Sequence, residues 1–308
     1  MARWQDVDWR QHQRWARIDG RAVNYIELGS GPPLLFIHGL SGSWQNWLEQ
    51  LLPFSQDHRV VAVDLPGFGH SEMPREKISI SGYGVFVDRF MDHLGMDAAT
   101  LVGNSMGGFI GAECAITFPH RVERLVLVSA AGISIEHRRN EPLLKAMYVG
   151  ESVAQWVTAK AVARSTELAT RARGRKALLW FVTPHAERWS PELAIEQSKG
   201  AGKPGFLPAL DALTDYPIRD RLDDIRCPTL ILWGREDRLV PVKDAEEFGR
   251  LIPQSRVIVY DDTGHVAMLE RPERFNADLR AFMAEQADHA DRRARLATRQ
   301  APARDEAR

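Results

Sequence analysis

Continuous apolar runs that recur along the chain constrain its fold more than any other feature. In chain order they are Pro33–Ile37, Val60–Val63, Ala99–Val102, Leu125–Val128, Thr229–Trp233 and Val257–Tyr260. Such runs are typical of strands buried on both faces, as in a parallel sheet covered by helices. Helical stretches separate several of them, for instance at 83–94 and 109–118. Strands that alternate with helices predict an α/β fold with a mostly parallel, doubly wound sheet.

A different pattern precedes these runs. The segments Trp15–Ile18 and Ala22–Ile26 alternate between apolar and polar residues and flank the dipeptide Asp19-Gly20. Asp-Gly suits the positive φ angles of a type I′ turn. The sequence therefore predicts an N-terminal β-hairpin beside the parallel strands.

The alternation of strands and helices breaks at residues 134–216. This stretch has helix-like patches without a clear buried strand, and it is longer than a simple crossover needs, so we predict a helical insertion. The core is then formed by 15–133 and 217–285, preceded by an N-terminal extension, 1–14. Tryptophans in the extension are expected to pack on the domain rather than to anchor a membrane. The tail, 286–308, is rich in Ala, Arg and Asp and is expected to be disordered.

The charge balance argues against a nucleic-acid partner. The chain has 40 Lys and Arg residues against 41 Asp and Glu, a formal net charge of -1. It lacks the overall basic field that is typical of nucleic-acid-binding proteins. A local basic group in the insertion is predicted to be a solvated helix face and comprises Lys160, Arg164, Arg171, Arg173, Arg175 and Lys176.

The cysteine count and the hydropathy pattern exclude further classes. The chain has two cysteines, Cys114 and Cys227, too few for a disulfide framework or a zinc site built from cysteines. Both are predicted to be small buried hydrophobic residues. No apolar run reaches the roughly 18 residues that a transmembrane helix needs, and no secretory signal is recognisable. We therefore expect a cytoplasmic protein without a transmembrane segment.

The strongest chemical signal is the segment Gly103-Asn104-Ser105-Met106-Gly107. It follows a predicted buried strand and precedes a helical run, and it matches the G-x-S-x-G pattern. Small residues two positions either side let the chain turn sharply, so that the serine hydroxyl stands clear of the sheet. The N-terminus of the following helix favours negative charge that develops at the site. This context predicts a nucleophilic serine at Ser105.

A serine hydroxyl needs a base, and the base needs an orienting group. His265 lies on a loop just after the last apolar strand, and Asp237 follows the strand Thr229–Trp233. With Ser105, these residues give the chain order Ser, Asp, His, which is one of the orders in which catalytic triads occur. Each candidate follows the carboxyl end of a separate strand, the edge where open α/β sheets place their sites. We predict a Ser105–His265–Asp237 triad.

The triad also needs hydrogen-bond donors for an oxyanion. The backbone N–H of Met106, the residue after the nucleophile, is one candidate. The second should come from the loop after Phe36-Ile37, where Gly39 allows a close approach and Leu40 is the predicted donor. His38, beside this loop, is predicted to be structural.

Four motifs together carry a family resemblance: His38–Gly42 with Trp47, Asp64–Ser71, Gly103–Gly108, and Asp237 with Gly264-His265. On these residues the chain resembles the α/β-hydrolase superfamily, in its serine-nucleophile, esterase- or lipase-like form with a helical cap. The resemblance covers roughly Trp15 to Ala284. It implies the α/β-hydrolase fold, with an N-terminal hairpin and a cap formed by 134–216 as the lid over much of the substrate pocket.

The resemblance also implies roles for the candidate residues. Ser105 would be the nucleophile, His265 the general base and then acid, and Asp237 the orienting acid. The amides of Leu40 and Met106 would form the oxyanion hole. The resemblance implies no metal and no organic cofactor.

The nucleophile narrows the reaction. Epoxide hydrolases and haloalkane dehalogenases carry an aspartate at this turn, whereas this chain has Ser105, so acyl chemistry remains. Carbon–carbon bond hydrolases of aromatic ring degradation often share the G-N-S-M-G-G segment. However, they usually have a Gly-Pro-Gly-type oxyanion loop, where this chain has Leu40-Ser41-Gly42, and a Trp after the catalytic His, where it has Val266.

We therefore predict a carboxylic-ester hydrolase, a carboxylesterase- or lipase-like enzyme acting on small apolar or aromatic esters. A carbon–carbon bond hydrolase of the meta-cleavage type is the alternative enzyme. A non-hydrolytic small-molecule receptor is the alternative from another class, and perhydrolysis or acyl transfer would reuse the same residues. The sequence leaves a monomer and a homodimer equally open.

Substrate-binding candidates are the aromatic, amide and apolar residues near the predicted site or in the insertion. They are Trp44, Asn104, Tyr148, Trp156, Trp180, Phe181 and Val266, with Met106, Trp189 and Phe206 as further lining candidates. A pocket lined by several of them would suit aromatic or acyl groups.

Overall fold

The computed structural model describes residues 3–134 and 167–285. An eight-stranded sheet runs through this part of the chain. The strands are Gln13–Ile18 (β1), Arg21–Leu28 (β2), Pro33–Ile37 (β3), Arg59–Val63 (β4), Ala99–Asn104 (β5), Val122–Val128 (β6), Thr229–Gly234 (β7) and Ser255–Tyr260 (β8). Every predicted apolar run thus lies in a strand, and the largest extension is that of β6, which begins at Val122.

The spatial order of the strands is β1-β2-β4-β3-β5-β6-β7-β8. The strands from β4 to β8 pair in parallel. Only β1 and β2 are antiparallel to their neighbours. This arrangement confirms the predicted α/β-hydrolase fold with an N-terminal hairpin and a mostly parallel sheet. It also brings the carboxyl ends of the parallel strands to one edge.

The hairpin turn has the conformation that its sequence predicts. Asp19 has φ 51° and Gly20 has φ 75°, so both central residues lie in the left-handed region that a type I′ turn requires. The first strand begins at Gln13, two residues before the predicted start. Its register pairs Ile18 with Arg21 across the turn.

Helices cover both faces of the sheet. Their bounds are Leu48–Phe54 (α1), Ile80–His93 (α2), Met106–Thr117 (α3), Ala172–Leu179 (α4), Pro191–Ser198 (α5), Phe206–Thr214 (α6), Lys243–Leu251 (α7), Ala267–Glu270 (α8) and 272–285 (α9). One core cluster contains apolar residues of α2, α3 and α7. The other contains those of α1 and α9. The sheet is therefore doubly wound, as the continuous apolar strands predict.

The N-terminal extension packs on the domain. Trp4 is buried and donates from its indole nitrogen to Glu49 Oε1 at 2.8 Å. Trp9 donates to the backbone oxygen of Trp4 at 3.0 Å, and its ring lies 5.4 Å from that of Trp44. Trp15 is 55% exposed on the edge strand. Trp4 and Trp9 thus pack on the domain, as predicted.

The described part of the insertion, 167–216, contains α4, α5 and α6. Arg175 departs from the predicted solvated helix face, because it is buried and donates to the backbone oxygens of Ala169 at 2.9 Å and Thr170 at 3.1 Å. Its guanidinium thus satisfies backbone carbonyl groups of the helical residues just before α4. Arg171, Arg173 and Lys176 are exposed, as predicted. Lys160 and Arg164 lie outside the described residues.

Within residues 3–134 and 167–285, no helix combines the length and the apolar character that crossing a membrane requires.

Candidate active site

Ser105 occupies a sharp turn between β5 and α3. Its backbone has φ 55° and ψ -118°, a left-handed conformation that is strained for a residue with a side chain. The segment is fixed to β6 and the residues after it by two backbone hydrogen bonds, from Ser105 to Val128 at 2.9 Å and from Ala131 to Ser105 at 3.1 Å. The strain is therefore held by the ends of β5 and β6.

Two glycines make this turn possible. A Cβ on Gly103 would lie 2.2 Å from the backbone oxygen of Gly107, and one on Gly107 would lie 2.1 Å from that of Ile37. Neither approach is compatible with any side chain. The G-x-S-x-G spacing is thus a packing requirement between β5, α3 and β3.

Replacing Gly107 by alanine is expected to lower the free energy of unfolding by about 3 kcal/mol, since the added methyl group meets rigid backbone. Gly111→Ala on the same helix is the matched control. There the new methyl group meets only the tip of Leu125, 3.0 Å away, and the change should stay within about 1 kcal/mol. Urea unfolding of both variants measures the difference, and equal stabilities would contradict the packing argument.

His265 and Asp237 form a buried pair at the same edge of the sheet. Nδ1 of His265 lies 2.8 Å from Oδ2 of Asp237, and both side chains are almost fully shielded from solvent. The other carboxylate oxygen, Oδ1, accepts hydrogen bonds from the amides of Leu239 and Val240, each at 2.9 Å. The carboxylate is thereby fixed on one side and free to orient the imidazole on the other.

Asn104 joins the serine turn to the histidine loop. Its side-chain nitrogen donates to the backbone oxygens of Val128 and His265, each at 3.1 Å. Among the described residues, the hydroxyl of Ser105 and the imidazole of His265 make no hydrogen bond with one another. Such catalytic hydrogen bonds often tighten only when substrate is bound. The amide nitrogen of Asn104 is thus engaged with two backbone carbonyls, and its contact with substrate stays a prediction.

The two predicted oxyanion donors also lie at this turn. A Cβ on Gly39 would lie 3.0 Å from Cβ of Ser105, so the loop that carries Leu40 passes directly over the serine. Met106 is the first residue of α3, where the backbone N–H has no partner within the helix. Within the described ranges, neither the Leu40 nor the Met106 N–H donates a hydrogen bond.

His38 joins the predicted oxyanion loop, 38–42, to the segment after β4. It is fully buried, its Nδ1 lies 2.7 Å from the backbone oxygen of Gly39, and its Nε2 accepts from the amide of Leu65 at 3.0 Å. Burial lowers its pKa to about 4, so the ring is neutral near pH 7 and carries its proton on Nδ1. The structural role predicted for His38 fits these contacts.

Asp64 anchors the turn that follows this loop, and the segment at His70, through a buried carboxylate. Oδ1 accepts from the amide of Trp44 at 2.8 Å, and Oδ2 accepts from the amide of His70 at 2.9 Å. A Cβ on Gly69 would lie 2.1 Å from this carboxylate. Burial raises the pKa of Asp64 to about 6, although both hydrogen bonds favour the charged form.

This raised pKa predicts a pH dependence of stability. Asp64 binds its proton more tightly in the folded protein than in the unfolded chain, where the pKa of its carboxyl has the ordinary value of 3.8. Stability from this group is present below pH 4 and is lost as the pH rises to about 6, by about 3 kcal/mol in total. The difference in unfolding free energy between wild type and Asp64→Asn should shrink over that interval in urea titrations. A difference that is constant with pH would contradict the assignment.

Comparison with known proteins places this geometry in a family. Residues 32–272 match the family model described as the alpha/beta hydrolase fold. The chain belongs to the α/β-hydrolase family. A 2-hydroxy-6-oxo-2,4-heptadienoate hydrolase of Pseudomonas putida is 30% identical over 286 residues, covering 88% of this chain and 96% of that relative.

Two solved structures are similar to this α/β hydrolase. A meta-cleavage product hydrolase from Pseudomonas fluorescens is 25% identical with a TM-score of 0.70, over 89% of this chain and 98% of that one. An N-acyl homoserine lactone degrading enzyme is 27% identical with a TM-score of 0.69, over 87% of this chain and 100% of that one. These two proteins are named for different substrates, a meta-cleavage product and an N-acyl homoserine lactone.

The predicted lining residues of this α/β hydrolase lie in different surroundings. All five of the following residues are buried. Trp44, Met106 and Val266 belong to the segments of the candidate site, and Trp189 and Phe206 belong to the core clusters. Trp180 is 51% exposed, with the Arg238 guanidinium 5.8 Å from its ring. Its neighbour Phe181 is partly buried. Tyr148 and Trp156 lie outside the described residues.

Sequence reasoning did not find three polar residues that contact the site loops of this α/β hydrolase. Glu270 and Thr183 hydrogen-bond around the histidine loop. Gln197 accepts from the side chain of Asn46 at 2.6 Å and donates to the backbone oxygen of Gln45 at 2.7 Å, just beyond the oxyanion loop. Of these three residues, only Glu270 could have been found from the sequence, because it is an acid that follows the histidine segment closely in the chain.

Among the residues that the structure of this α/β hydrolase describes, no group of three or more His, Cys, Asp and Glu side chains is arranged to hold a metal ion. Cys114 is buried and Cys227 partly buried. Burial raises the pKa of the Cys227 thiol to about 11 and that of Cys114 further. Both thiols are therefore protonated near pH 7 and have little nucleophilic character.

Proposed function

We propose that the protein is a serine hydrolase that cleaves carboxylic esters of small apolar or aromatic substrates. The observation that carries this proposal is the buried His265–Asp237 pair, with 2.8 Å between Nδ1 and Oδ2, at the edge where Ser105 is held with φ 55°. A serine on a strained turn beside an oriented imidazole is the arrangement that acyl transfer requires.

The first half-reaction forms an acyl-enzyme. Oγ of Ser105 attacks the ester carbonyl carbon while Nε2 of His265 takes the hydroxyl proton, and the carbonyl π electrons move to oxygen. The N–H groups of Leu40 and Met106 donate to this oxyanion. Asp237 stabilises the imidazolium through its hydrogen bond to Nδ1. When the oxyanion collapses, the C–O bond to the alcohol breaks and His265 returns the proton to the leaving oxygen.

The second half-reaction reverses these roles. Water attacks the acyl carbon as His265 removes one of its protons. The tetrahedral intermediate then collapses, the bond to Ser105 Oγ breaks, and the serine recovers its proton from His265. The carboxylic acid leaves, and no co-reactant other than water is consumed.

The residues beside the candidate nucleophile and base favour an apolar acyl or alcohol group. Met106, the residue that follows Ser105, is fully buried, and Val266, the residue that follows His265, is buried as well. Leu40 is partly buried and packs against the core cluster that contains Met106. Apolar neighbours with few polar groups support the binding of small apolar or aromatic substrates.

A carbon–carbon bond hydrolase is the second candidate, because two similar proteins carry such names. They are the heptadienoate hydrolase of P. putida and the meta-cleavage product hydrolase of P. fluorescens. The lactone-degrading neighbour supports ester-type cleavage to a similar degree. The loop Leu40-Ser41-Gly42 and Val266 differ from the pattern of the carbon–carbon bond hydrolases, and this difference supports the proposal of ester cleavage.

A substrate panel tests the proposal. Purified protein is assayed with p-nitrophenyl acetate and butyrate and, separately, with 2-hydroxy-6-oxo-2,4-heptadienoate at matched concentrations. We expect multiple turnovers of an ester with a higher kcat/KM than for the dienoate. A higher kcat/KM for the dienoate would replace the proposal with carbon–carbon cleavage. Tight binding of either compound with at most one turnover would indicate a receptor instead.

A further inference from the structure

Glu270 holds the backbone on both sides of the candidate general base. Its Oε1 and Oε2 each lie 3.0 Å from the amide nitrogen of Gly264, and Oε1 also accepts from the amide of Val266 at 3.3 Å. These two residues flank His265 in the chain. One carboxylate thus closes the loop that carries the imidazole.

The same carboxylate is held from the cap insertion. Thr183, which is buried, donates from its hydroxyl to Oε2 of Glu270 at 2.6 Å. The backbone N–H of His265 itself donates to the oxygen of Val182 at 2.8 Å. A Cβ on Gly264 would lie 2.6 Å from that same oxygen. Two consecutive cap residues therefore contact the histidine loop directly, through a side chain and through backbone.

These contacts fix the backbone position of His265. Asp237 fixes Nδ1, so the position of Nε2 is set by that hydrogen bond together with the backbone position of His265. Burial raises the pKa of Glu270, while the Thr183 hydroxyl and the two amides stabilise its charged form. Removing one donor or acceptor from such a network leaves a shielded polar group without its partner, and the loop can relax to satisfy it.

We propose that Glu270 and Thr183 are positioning residues that hold the His265 loop in its productive place, so that the orientation of the general base depends on the cap. This inference rests on the proposed function, in which His265 is the base for Ser105. It makes the described cap segment around Thr183 part of the catalytic apparatus as well as a cover for substrate.

Four variants separate this role from general stability. Thr183→Val removes the hydroxyl and keeps the shape, whereas Thr183→Ser keeps the hydroxyl. Glu270→Gln keeps the shape and replaces one acceptor oxygen with a donor group, which gives a second test if Thr183→Val does not fold. Asp262→Asn is the control, because Asp262 joins the same cap and core segments through an exposed ion pair with Arg188 at 2.9 Å. Asn also tolerates the φ of 55° at this position.

Two readouts are measured on folded protein. One is kcat and KM for p-nitrophenyl butyrate, and the other is the rate at which a fluorophosphonate labels Ser105, which needs the base but no ester turnover. We expect Thr183→Val and Glu270→Gln to lower kcat and the labelling rate about 10-fold, with KM changed less than about twofold, because a displaced base affects the chemical step. Thr183→Ser and Asp262→Asn should stay within about twofold of wild type.

The outcomes distinguish this inference from the proposed function. Unchanged labelling in both Thr183→Val and Glu270→Gln would overturn the positioning role while wild-type ester turnover still stood. Equal losses in Thr183→Ser or Asp262→Asn would overturn it too, since the hydroxyl would then not be the cause. If wild type is labelled but turns over no ester, the labelling rates alone decide the positioning role. A wild-type protein that is not labelled at Ser105 would overturn both.

Discussion

Ser105→Ala is expected to lower kcat for a p-nitrophenyl ester by roughly 10⁶-fold, because the oxygen that forms the acyl-enzyme is removed. Fluorophosphonate labelling should be lost completely. The variant should fold, since the smaller alanine side chain meets no new neighbour at the turn. The effect is measured from the initial rates of wild type and of Ser105→Ala, each corrected for the uncatalysed rate of ester hydrolysis.

A residual rate within about tenfold of wild type would contradict the assignment of Ser105 as nucleophile. Ser129→Ala is a matched control for this variant. Ser129 also has a positive φ, 46°, and is buried after β6, but it lies outside the candidate triad. Its alanine variant should retain both labelling and turnover.

Asp237→Asn is expected to lower kcat by about 10⁴-fold with little loss of structure. The asparagine oxygen can still accept from the amides of Leu239 and Val240, which lie 2.9 Å from Oδ1. Its NH₂ group then faces Nδ1 of His265 and donates to it. The single proton of the neutral imidazole then lies on Nε2. Because Nε2 is protonated, it can no longer accept the proton of Ser105.

The tautomer explanation has a distinct signature. Fluorophosphonate labelling should fall together with kcat, while the thermal midpoint and KM stay close to those of wild type. Asp244→Asn supplies a comparison at another buried acid, because Oδ2 of Asp244 accepts from the amide of Ser134 at 3.0 Å, a contact that involves no triad residue. Wild-type kcat in Asp237→Asn would show that His265 needs no orienting acid.

The fold was predictable wherever one local pattern determined it. Strands buried on both faces, such as β3, have continuous apolar sequences, and the Asp19-Gly20 turn requires φ angles that few residue pairs adopt. The start of β6 was missed because its first residues alternate between exposed and buried, with Glu123 exposed and Arg124 partly buried. The insertion of β4 between β2 and β3 depends on pairing between distant segments, which no local pattern specifies.

The candidate site shows the same division. Ser105, Asp237 and His265 could be predicted as a triad from their order and from their places after separate strands. Thr183 could not be identified in this way, because its contact with Glu270 joins residues that are 87 positions apart. Arg175 resembled a solvated residue, since a charged side chain on a polar helix gives no sign that backbone carbonyls surround it.

The packing of the N-terminal extension gives this protein a built-in optical reporter. The rings of Trp9 and Trp44 are 5.4 Å apart and tilted by 46°, close enough for their electronic transitions to couple and to give a signed pair of circular dichroism bands. Trp44 begins the turn after the oxyanion loop, and its amide is held by Asp64. Subtracting the spectrum of a Trp9→Phe variant would isolate this signal, so that rearrangements of the loop could be followed without a label or a substrate.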